Sequence, residues 1–368
     1  MNVEFFSFSY APRNLRDEWN KLVTDVIKEG VFIGGKPVED FEKEWAEFTG
    51  SKFAIGVGNG FDGLTLALRA LGIGNNNFVA VPAHTFIASW NAVIAVGAIP
   101  LGVDVDDEGL MDLEMFRVIA SKVQAVIPVH MHGSAVDMKE LYDICSDEKL
   151  KASIRIIEDA SQAHGAHSPD GSKLGKWSDA VVYSLYPTKN LGALGDAGVI
   201  TTDSYDVEVK LRSLSNYGSN KENKYIHEVL GYNSRLDPIQ AAVLRRNLEL
   251  LPAWNTRRQY LSHLYIRELS EIIDILQVNR LDSVRHHFCV LTSKRETLRE
   301  FLRLQGVKSE IHYPRVAGYE AMNFLKKDSL FPKSESIANS ILSLPLSQWH
   351  NEEQILYVAS KVREWISQ

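Results

Sequence analysis

The sequence has few cysteines, no long apolar run and no excess of positive charge. Its 368 residues include only two cysteines, Cys145 and Cys289, which form neither a CxxC motif nor a spacing typical of metal ligands. No window contains the roughly 18 apolar residues that a membrane-spanning helix needs. The first residues, MNVEFFSFSYAPRN, lack the basic start and the apolar run of a signal peptide. These absences predict a cytoplasmic protein with reduced thiols and no membrane segment.

Basic side chains are outnumbered by acidic ones. The sequence has 40 lysines and arginines and 47 aspartates and glutamates, which gives a net charge of −7. It contains no basic cluster that could contact nucleic-acid phosphates. A hydrophobic content of 45% without low-complexity stretches is typical of a globular protein. The length favours two domains. A change of pattern predicts a large domain over residues 1–250 and a smaller one over residues 251–368.

Short apolar runs alternate with amphipathic stretches in the first part of the chain. Two helices are predicted at residues 15–30 and 37–50, and seven runs then read as strands: FAIGVG, FVAVPA, IPLGVDV, AVIPVH, RIIEDA, AVVYSL and GVITT. This alternation predicts an α/β fold with a mostly parallel sheet covered on both faces. In such sheets the loops after the carboxyl ends of the strands form the ligand crevice.

The pattern changes near residue 235. A long helical stretch begins with DPIQAAVLRRNLELL, and Pro252 is predicted to kink or break it. Two short strands, RHHFCVL and EIHYP, and a closing helix, NEEQILYVASKVREWIS, are expected beyond it. These elements predict a smaller C-terminal α+β domain.

Two of the predicted strand-end loops suit an anion and a planar ring. Gly58 and Gly60 in GVGNGF let the chain turn into a helix whose first N–H groups can hold an anion. Phe86 follows a strand in AHTFIASW and can offer a ring face to a planar ligand. An ordinary strand–turn–helix corner and a core aromatic are the structural alternatives for these two loops.

Two further loops carry a carboxylate and an amine. Asp159 ends an otherwise apolar strand, so it either caps the next turn or holds a protonated ring nitrogen, as a pyridinium cofactor requires. Lys189 follows a buried strand and precedes several glycines; a partly desolvated lysine has a lowered pKa and a neutral amine suited to Schiff-base chemistry. Together the four loops meet the needs of pyridoxal phosphate.

The chain resembles the DegT/DnrJ/StrS family of sugar aminotransferases from end to end. The matching segments are GVFIGGKPVEDFE, GVGNGFDGL, VPAHTFIASWNAV, AVIPVHMHG, IIEDASQAHGA, SLYPTKNLGALGDAG, GYNSRLDPIQAAVL, IHYP and LSLPL. The resemblance implies the aspartate aminotransferase-like architecture, which is fold type I of the enzymes that use pyridoxal 5'-phosphate (PLP). It also implies L-glutamate as the amino donor and a keto nucleotide sugar as the acceptor.

The resemblance assigns roles to individual residues. Lys189 would bind the cofactor's aldehyde carbon covalently, Asp159 would bond the ring nitrogen, and Gln162 the side of the ring hydroxyl. Phe86 would stack on the ring, and the phosphate would be held by Gly60, Phe61, Ser184 and, from the neighbouring subunit, Asn233. Asn233 therefore implies a homodimer with shared active sites. The candidates for substrate contacts are Tyr186, His312, Tyr313, Arg235 and His84.

Two segments depart from the family pattern. Asn59-Gly60-Phe61 replaces the S-G-T of many relatives, and together with His84 it resembles the subgroup that aminates 3-keto nucleotide sugars; the acceptor predicted is a dTDP-3-keto-6-deoxyhexose. The other departure, RVAGYEAMN after IHYP, replaces a proline and histidine pattern. A 4-keto sugar aminotransferase and a cyclitol aminotransferase remain alternatives. Lys189 argues against a dehydratase, since those relatives carry histidine there, and the intact site argues against a non-enzymatic member.

Overall fold

All seven apolar runs predicted as strands form one sheet in the computed structural model, which describes residues 1–150, 153–219, 225–280, 282–318 and 330–368. The strand order is β1-β7-β6-β5-β4-β2-β3. Strand β7 is antiparallel to both neighbours, whereas the remaining pairs are parallel, which confirms the mostly parallel α/β fold. The strands are β1 (Phe53–Val57), β2 (Phe78–Pro82), β3 (Ile99–Val103), β4 (Ala125–Val126), β5 (Arg155–Asp159), β6 (Ala180–Ser184) and β7 (Gly198–Thr202).

Helices cover both faces of this sheet because successive strand residues point to opposite sides. In β6, Val182 belongs to one apolar cluster, whereas Val181 and Tyr183 belong to another. The first cluster holds residues of α3 to α7, and the second those of α2 and α8. The helices are α1 (Arg13–Glu29), α2 (Lys36–Thr49), α3 (Gly60–Ala70), α4 (Ile87–Ala95), α5 (Leu113–Ile119), α6 (Met138–Cys145), α7 (Tyr205–Ser215), α8 (Pro238–Leu269), α9 (Arg295–Leu304), α10 (Pro332–Ser340) and α11 (Glu352–Ile366).

Of the two alternatives predicted at Pro252, a kink or a break, the break is wrong, because helix α8 is continuous there. Proline removes one backbone hydrogen bond of a helix, but burial of the apolar side chains on either side compensates for that loss. Leu251 packs against the large sheet, and Leu261 packs in the apolar cluster of the C-terminal elements. The helix therefore spans residue 250, where the boundary between the two domains is predicted.

The C-terminal elements form a second, antiparallel sheet of order β10-β9-β8 in the described part of the chain. Its strands are β8 (Asp274–Ile275), β9 (Phe288–Leu291) and β10 (Ile341–Leu344). The predicted strand RHHFCVL and the closing helix are both present, as β9 and α11. The predicted strand EIHYP forms only a single bridge, between Glu310 and Ser343. Pro314 has no N–H to continue such a ladder.

The carboxyl ends of β1, β2, β5 and β6 meet at one edge of the large sheet, since these strands are parallel to one another. Gly60, Phe86 and Lys189 lie just beyond these ends, and Asp159 is the last residue of β5. This edge is where a doubly wound sheet binds its ligands. In the described ranges no helix is long and apolar enough to cross a membrane.

The continuity of α8 makes Leu251 a sensitive position. Its side chain is fully buried, so Leu251→Ala leaves a cavity and is expected to lower the free energy of unfolding by about 2–5 kcal/mol. Leu304→Ala is the matched control because Leu304 is 67% exposed, and its effect is expected to stay within about 0.5 kcal/mol. Urea unfolding at a fixed protein concentration measures both. Equal effects would contradict the packing of α8 described above.

Candidate functional site

A cavity of about 500 Å³ opens at the carboxyl edge of the large sheet. All four of the predicted strand-end loops line it, and residues after β8 close it from the C-terminal side. Among the predicted site residues, those that line the cavity are Gly60, Phe61, Phe86, Asp159, Gln162, Ser184, Tyr186, Lys189, His312 and Tyr313. The structure therefore brings the core of the predicted site together.

One end of the cavity is the N-terminus of α3. The side chain of Asn59 caps this helix by accepting the N–H of Asp62 at 2.8 Å, which leaves the N–H groups of Gly60 and Phe61 without an intrahelical acceptor. Asp62 in turn accepts the Ser234 hydroxyl at 2.6 Å. Asn59 and Asp62 of the N-G-F-D-G motif thus shape the turn, while Gly60 and Phe61 face the cavity.

The backbone at this end has no room for a side chain. A Cβ at Gly60 would lie 2.9 Å from Cβ of Ser184, and one at Gly198 would lie 2.6 Å from the carbonyl carbon of Asn59. These close approaches place the free N–H groups of α3 beside the Ser184 side chain. Such a cradle of N–H groups and a hydroxyl fits a phosphate.

The two acids at the end of β5 face different partners. Glu158 is fully buried and bonds Nε2 of His130 at 2.9 Å and the N–H of Gly175 at 2.8 Å, so it joins three segments. Asp159 is 5% exposed and accepts the Ser89 hydroxyl at 2.8 Å. Asp159 lines the cavity, whereas Glu158 does not, so only Asp159 is available to a ligand.

Lys189 reaches the cavity with its side chain half-buried. Burial lowers the pKa of its amine to about 8, although the nearby Asp159 carboxylate acts in the opposite direction. A substantial fraction of the amine is therefore neutral at physiological pH. Of the described residues that line the cavity, Lys189 is the only lysine or arginine. The predicted depression of its pKa is thus present in the folded chain.

Aromatic and amide groups form one wall of the cavity. The Phe86 ring is 53% exposed and lies 5.4 Å from the Tyr313 ring. Gln162 donates its amide to the Tyr313 hydroxyl at 3.1 Å and accepts the N–H of His132 at 2.7 Å. Gln162 is thereby fixed in one orientation, with both ends of its amide bonded.

Three predicted site residues do not line the cavity. His84 was expected to enter the crevice, but its ring is fully buried behind the wall and its Nε2 accepts the N–H of Tyr313 at 3.3 Å. Arg235 bonds Asn216 and lies over the Tyr217 ring, away from the cavity. Asn233 is exposed outside the cavity of its own chain. The C-terminal part of RVAGYEAMN, residues 319–323, lies outside the described residues.

Sequence reasoning missed several residues that the cavity uses. Ser89 holds Asp159, and His286 and His287 line the cavity with His312. A signal for His286 and His287 exists in the segment RHHFCVL, because two titratable side chains are unusual in a short apolar strand. Only a strand is predicted from the sequence for this segment. Among the described residues, no group of three or more His, Cys, Asp or Glu side chains is placed to hold a metal ion.

Comparison with known proteins agrees with this geometry. The model of the DegT/DnrJ/EryC1/StrS aminotransferase family matches residues 13–363. The chain belongs to this family.

Relatives match over nearly the whole chain. It is 39% identical to a dTDP-3-amino-3,4,6-trideoxy-alpha-D-glucose transaminase of Streptomyces venezuelae, over 99% of this chain and 96% of that protein. It is 36% identical to a UDP-N-acetyl-3-dehydro-alpha-D-glucosamine 3-aminotransferase of Acidithiobacillus ferrooxidans, over 96% and 95% of the two chains.

Solved structures of other proteins share the fold. The crystal structure of DesV from S. venezuelae has a TM-score of 0.94 at 37% identity and covers 100% of this chain and 99% of that one. NtdA of Bacillus subtilis, solved with bound cofactor PMP, has a TM-score of 0.90 at 26% identity, over 100% and 86% of the two chains. PMP is the aminated form of PLP. The predicted fold type I architecture and the PLP cofactor are therefore confirmed, and the protein is a PLP-dependent aminotransferase of the nucleotide-sugar class.

The lowered pKa of Lys189 predicts how the apoprotein takes up PLP. Only the neutral amine attacks an aldehyde, so the rate of covalent uptake should rise with pH and level off above about 8, the pKa of the buried amine. The measurement is the absorbance change on adding PLP to apoprotein across the pH range, followed by borohydride reduction and peptide mapping. A rate that climbs to pH 10, as for an exposed lysine, or a label on another lysine would contradict this environment.

Proposed function

We propose that the chain transfers the amino group of L-glutamate to carbon 3 of a dTDP-linked 3-keto-6-deoxyhexose, giving a dTDP-3-amino-3,6-dideoxyhexose. The observation that carries the proposal is one cavity in which an amine of lowered pKa, Lys189, and a buried carboxylate, Asp159, lie beside a phosphate cradle at Gly60. The amination position is supported by the two relatives described above, because the names of both refer to carbon 3 of a nucleotide sugar.

The residues fit PLP as follows. The free N–H groups of Gly60 and Phe61 and the hydroxyl of Ser184 would bind the phosphate, and the Phe86 ring would stack on the pyridine. The Asp159 carboxylate would hold the protonated ring nitrogen, while Ser89 orients that carboxylate through its hydrogen bond. Bound PLP supplies an electron sink next to the reacting carbon.

Lys189 performs the proton transfers. Its amine is neutral often enough to take a proton from the alpha carbon of glutamate, and as an acid it returns a proton to the carbon that receives the amino group. Tyr186 is half-exposed at the mouth of the cavity, where it can contact the sugar. Because His84 is buried behind the wall, the support for carbon 3 within the chain comes from the N-G-F-D-G motif, of which Phe61 lines the cavity.

We also propose a homodimer with shared active sites. Asn233 is exposed and does not line its own cavity, as expected of a residue that serves a partner. Large apolar side chains are also exposed near this loop: Val31, Phe32, Ile33, Tyr217, Tyr225, Ile226, Val229 and Leu230. Ile33 and Arg235 line the same surface groove. An apolar surface of this kind is typical of a subunit interface.

Asp159→Asn tests the role of the carboxylate. The amide keeps the size of the side chain but removes the charge that would hold the ring nitrogen protonated, so turnover should fall by at least about 10²–10³. Ser89→Ala should have a smaller effect, roughly tenfold, because it removes one hydrogen bond to that charge. Steady-state kinetics measure both. Near-normal turnover in Asp159→Asn would contradict the assignment.

The position of amination is tested by product structure. The cofactor-loaded protein is incubated with glutamate and one acceptor at a time, either a dTDP-linked 3-keto sugar or a dTDP-linked 4-keto sugar. A cavity shaped for carbon 3 should penalise the other register, because the reacting carbonyl must come within about 3–3.5 Å of the amine. NMR is expected to find the new amine on carbon 3. The UDP-linked 3-keto sugar, assayed in parallel, should react only slightly more weakly than the dTDP-linked one. A product from the 4-keto sugar alone would reverse the substrate assignment.

The shared site is tested by mixing inactive subunits. Lys189→Ala and an inactive Asn233 variant are combined so that heterodimers form. If Asn233 serves the partner, one site of the heterodimer collects both lesions and the other collects neither, so about half of the heterodimer's sites regain activity. If Asn233 serves its own chain, each site keeps one lesion. Verified heterodimers without activity would therefore exclude the shared arrangement.

A further inference from the structure

Four histidines form a cluster at the inner wall of the cavity. The His286 and His287 rings are 4.0 Å apart, and the His287 and His312 rings stack at 4.0 Å with an interplanar angle of 14°. His132 lies behind them, with its Nδ1 3.3 Å from Nδ1 of His287. His286, His287 and His312 line the cavity, whereas His132 does not. We call these four residues the histidine cluster.

Burial disfavours the charged form of every ring in the cluster. Burial lowers the pKa of His132, His286 and His287 well below the usual value and that of His312 to about 4, and the rings disfavour one another's charge. None of the four forms an ion pair with a carboxylate of the described residues. His130 differs, because it bonds Glu158 directly.

The hydrogen bonds of Asn190 fix the tautomer of His286. The Asn190 amide nitrogen donates to Asn255 and to the carbonyl of Val284, so its oxygen faces Nδ1 of His286 at 3.0 Å as an acceptor. Nδ1 of His286 therefore carries the proton, and Nε2 has a bare lone pair when the ring is neutral. This Nε2 makes no hydrogen bond with the described residues. It can bind an anion only after the ring has taken up a proton.

We propose that the histidine cluster is the binding site for a carboxylate of the amino donor and that it takes up a proton when that carboxylate binds. The inference rests on the proposed function, because it is glutamate that brings the carboxylate. A carboxylate in a buried site needs a cationic or hydrogen-bonding partner. Among the described lining residues, Lys189 is the only lysine or arginine, and its amine is required for proton transfer.

The neighbourhood of the cluster supports this assignment. The titratable and charged groups around the rings are Lys189, Tyr313 and Asp159 in the cavity and His84, His132, His164, Arg258, Arg285 and Cys289 behind its wall. Asp159 is the one carboxylate in this group of described residues, and Ser89 and the N–H of Ser161 bond it. An incoming carboxylate would supply the negative charge that the cluster lacks.

The depth of the cluster favours the donor carboxylate over the diphosphate of the acceptor. Lys189 is close enough to His286, His287 and His312 to lower the pKa of each ring. The alpha carboxylate of an amino acid is bonded to the carbon from which Lys189 removes a proton, so it must lie near that amine. The diphosphate of a nucleotide sugar is attached at carbon 1, two carbons away from a keto group at carbon 3.

The experiment measures proton uptake with glutarate, a dicarboxylate that has no amino group to react. Glutarate is titrated into the cofactor-loaded protein by calorimetry in buffers of different ionisation heat, and dTDP is titrated in parallel. We expect uptake of about one proton per site with glutarate and none with dTDP. The cluster has a low pKa without glutarate and should have a higher pKa with glutarate bound. Between these two pKa values, the affinity for glutarate should fall by up to about tenfold for each unit by which the pH rises.

His286→Gln separates the cluster from other proton acceptors. The glutamine amide can donate a hydrogen bond but cannot take up a proton, so the uptake should disappear and glutarate should bind roughly tenfold to a hundredfold more weakly. His263→Gln, an exposed position on α8, is the matched control and should behave as the unchanged protein. An unchanged KM for the nucleotide sugar in His286→Gln shows that the cavity is intact.

The possible outcomes separate this inference from the proposed function. Uptake that persists in His286→Gln would place the proton on another group, and uptake with dTDP alone would assign the cluster to the diphosphate; either result overturns the inference. No uptake with glutarate in the unchanged protein also overturns it. If glutamate converts the cofactor, as seen in its absorbance, the proposed function survives these results. If glutamate leaves the absorbance unchanged, the proposed donor is wrong.

Discussion

The removal of Asp159 from water is the constraint on which the site depends. A buried carboxylate is costly unless it is hydrogen-bonded, and here Ser89 from α4 and the N–H of Ser161 satisfy it from one side. Its neighbour Glu158 ties the end of β5 to His130 and to the segment around Gly175. The end of the strand is thus held from several directions before any ligand binds. The Asp159 side chain therefore lines the cavity in a restricted orientation. A fixed orientation of this kind is what a carboxylate needs in order to stabilise a positive charge on a ligand.

Most of the seven-stranded sheet was predictable from sequence because its strands are buried on both faces and separated by helices. Such strands appear as apolar runs of five residues or so, and each of the seven runs became a strand of the main sheet. Lys189 could be singled out because most lysines are exposed, whereas this one follows a buried strand. The path of α8 was not predictable. Whether Pro252 breaks a helix depends on how much apolar surface the flanking residues bury, and that surface comes from elements distant in sequence.

Two predicted substrate contacts, His84 and Arg235, do not line the cavity of their own chain, and their placement has a common physical origin. His84 and Arg235 were placed by position along the chain, but a side chain next to a strand end can turn inward or outward. The main chain of Tyr313, more than two hundred residues away in sequence, holds the ring of His84 behind the wall. The histidine cluster as a whole was missed because its residues are distant in sequence, although His312 alone was a predicted substrate contact. Its histidines come from separate segments, and their effect on one another's protonation exists only in the folded chain.

The protonation of the groups in the cavity depends on their burial more than on the net charge of the protein. The protein as a whole is acidic, yet burial lowers the pKa of Lys189 and of the nearby histidines, so these bases bind protons weakly. Arg258 illustrates the same point beneath the site: it is 1% exposed and bonds carbonyl oxygens and Gln348 in place of a carboxylate. In a cavity lined by bases of low pKa, a bound anion can change the protonation of these bases. Its negative charge raises their pKa, so that a base that is neutral without the anion takes up a proton when the anion binds. Anionic substrates therefore alter the protonation of the groups that surround them, and binding and proton transfer become linked in this cavity.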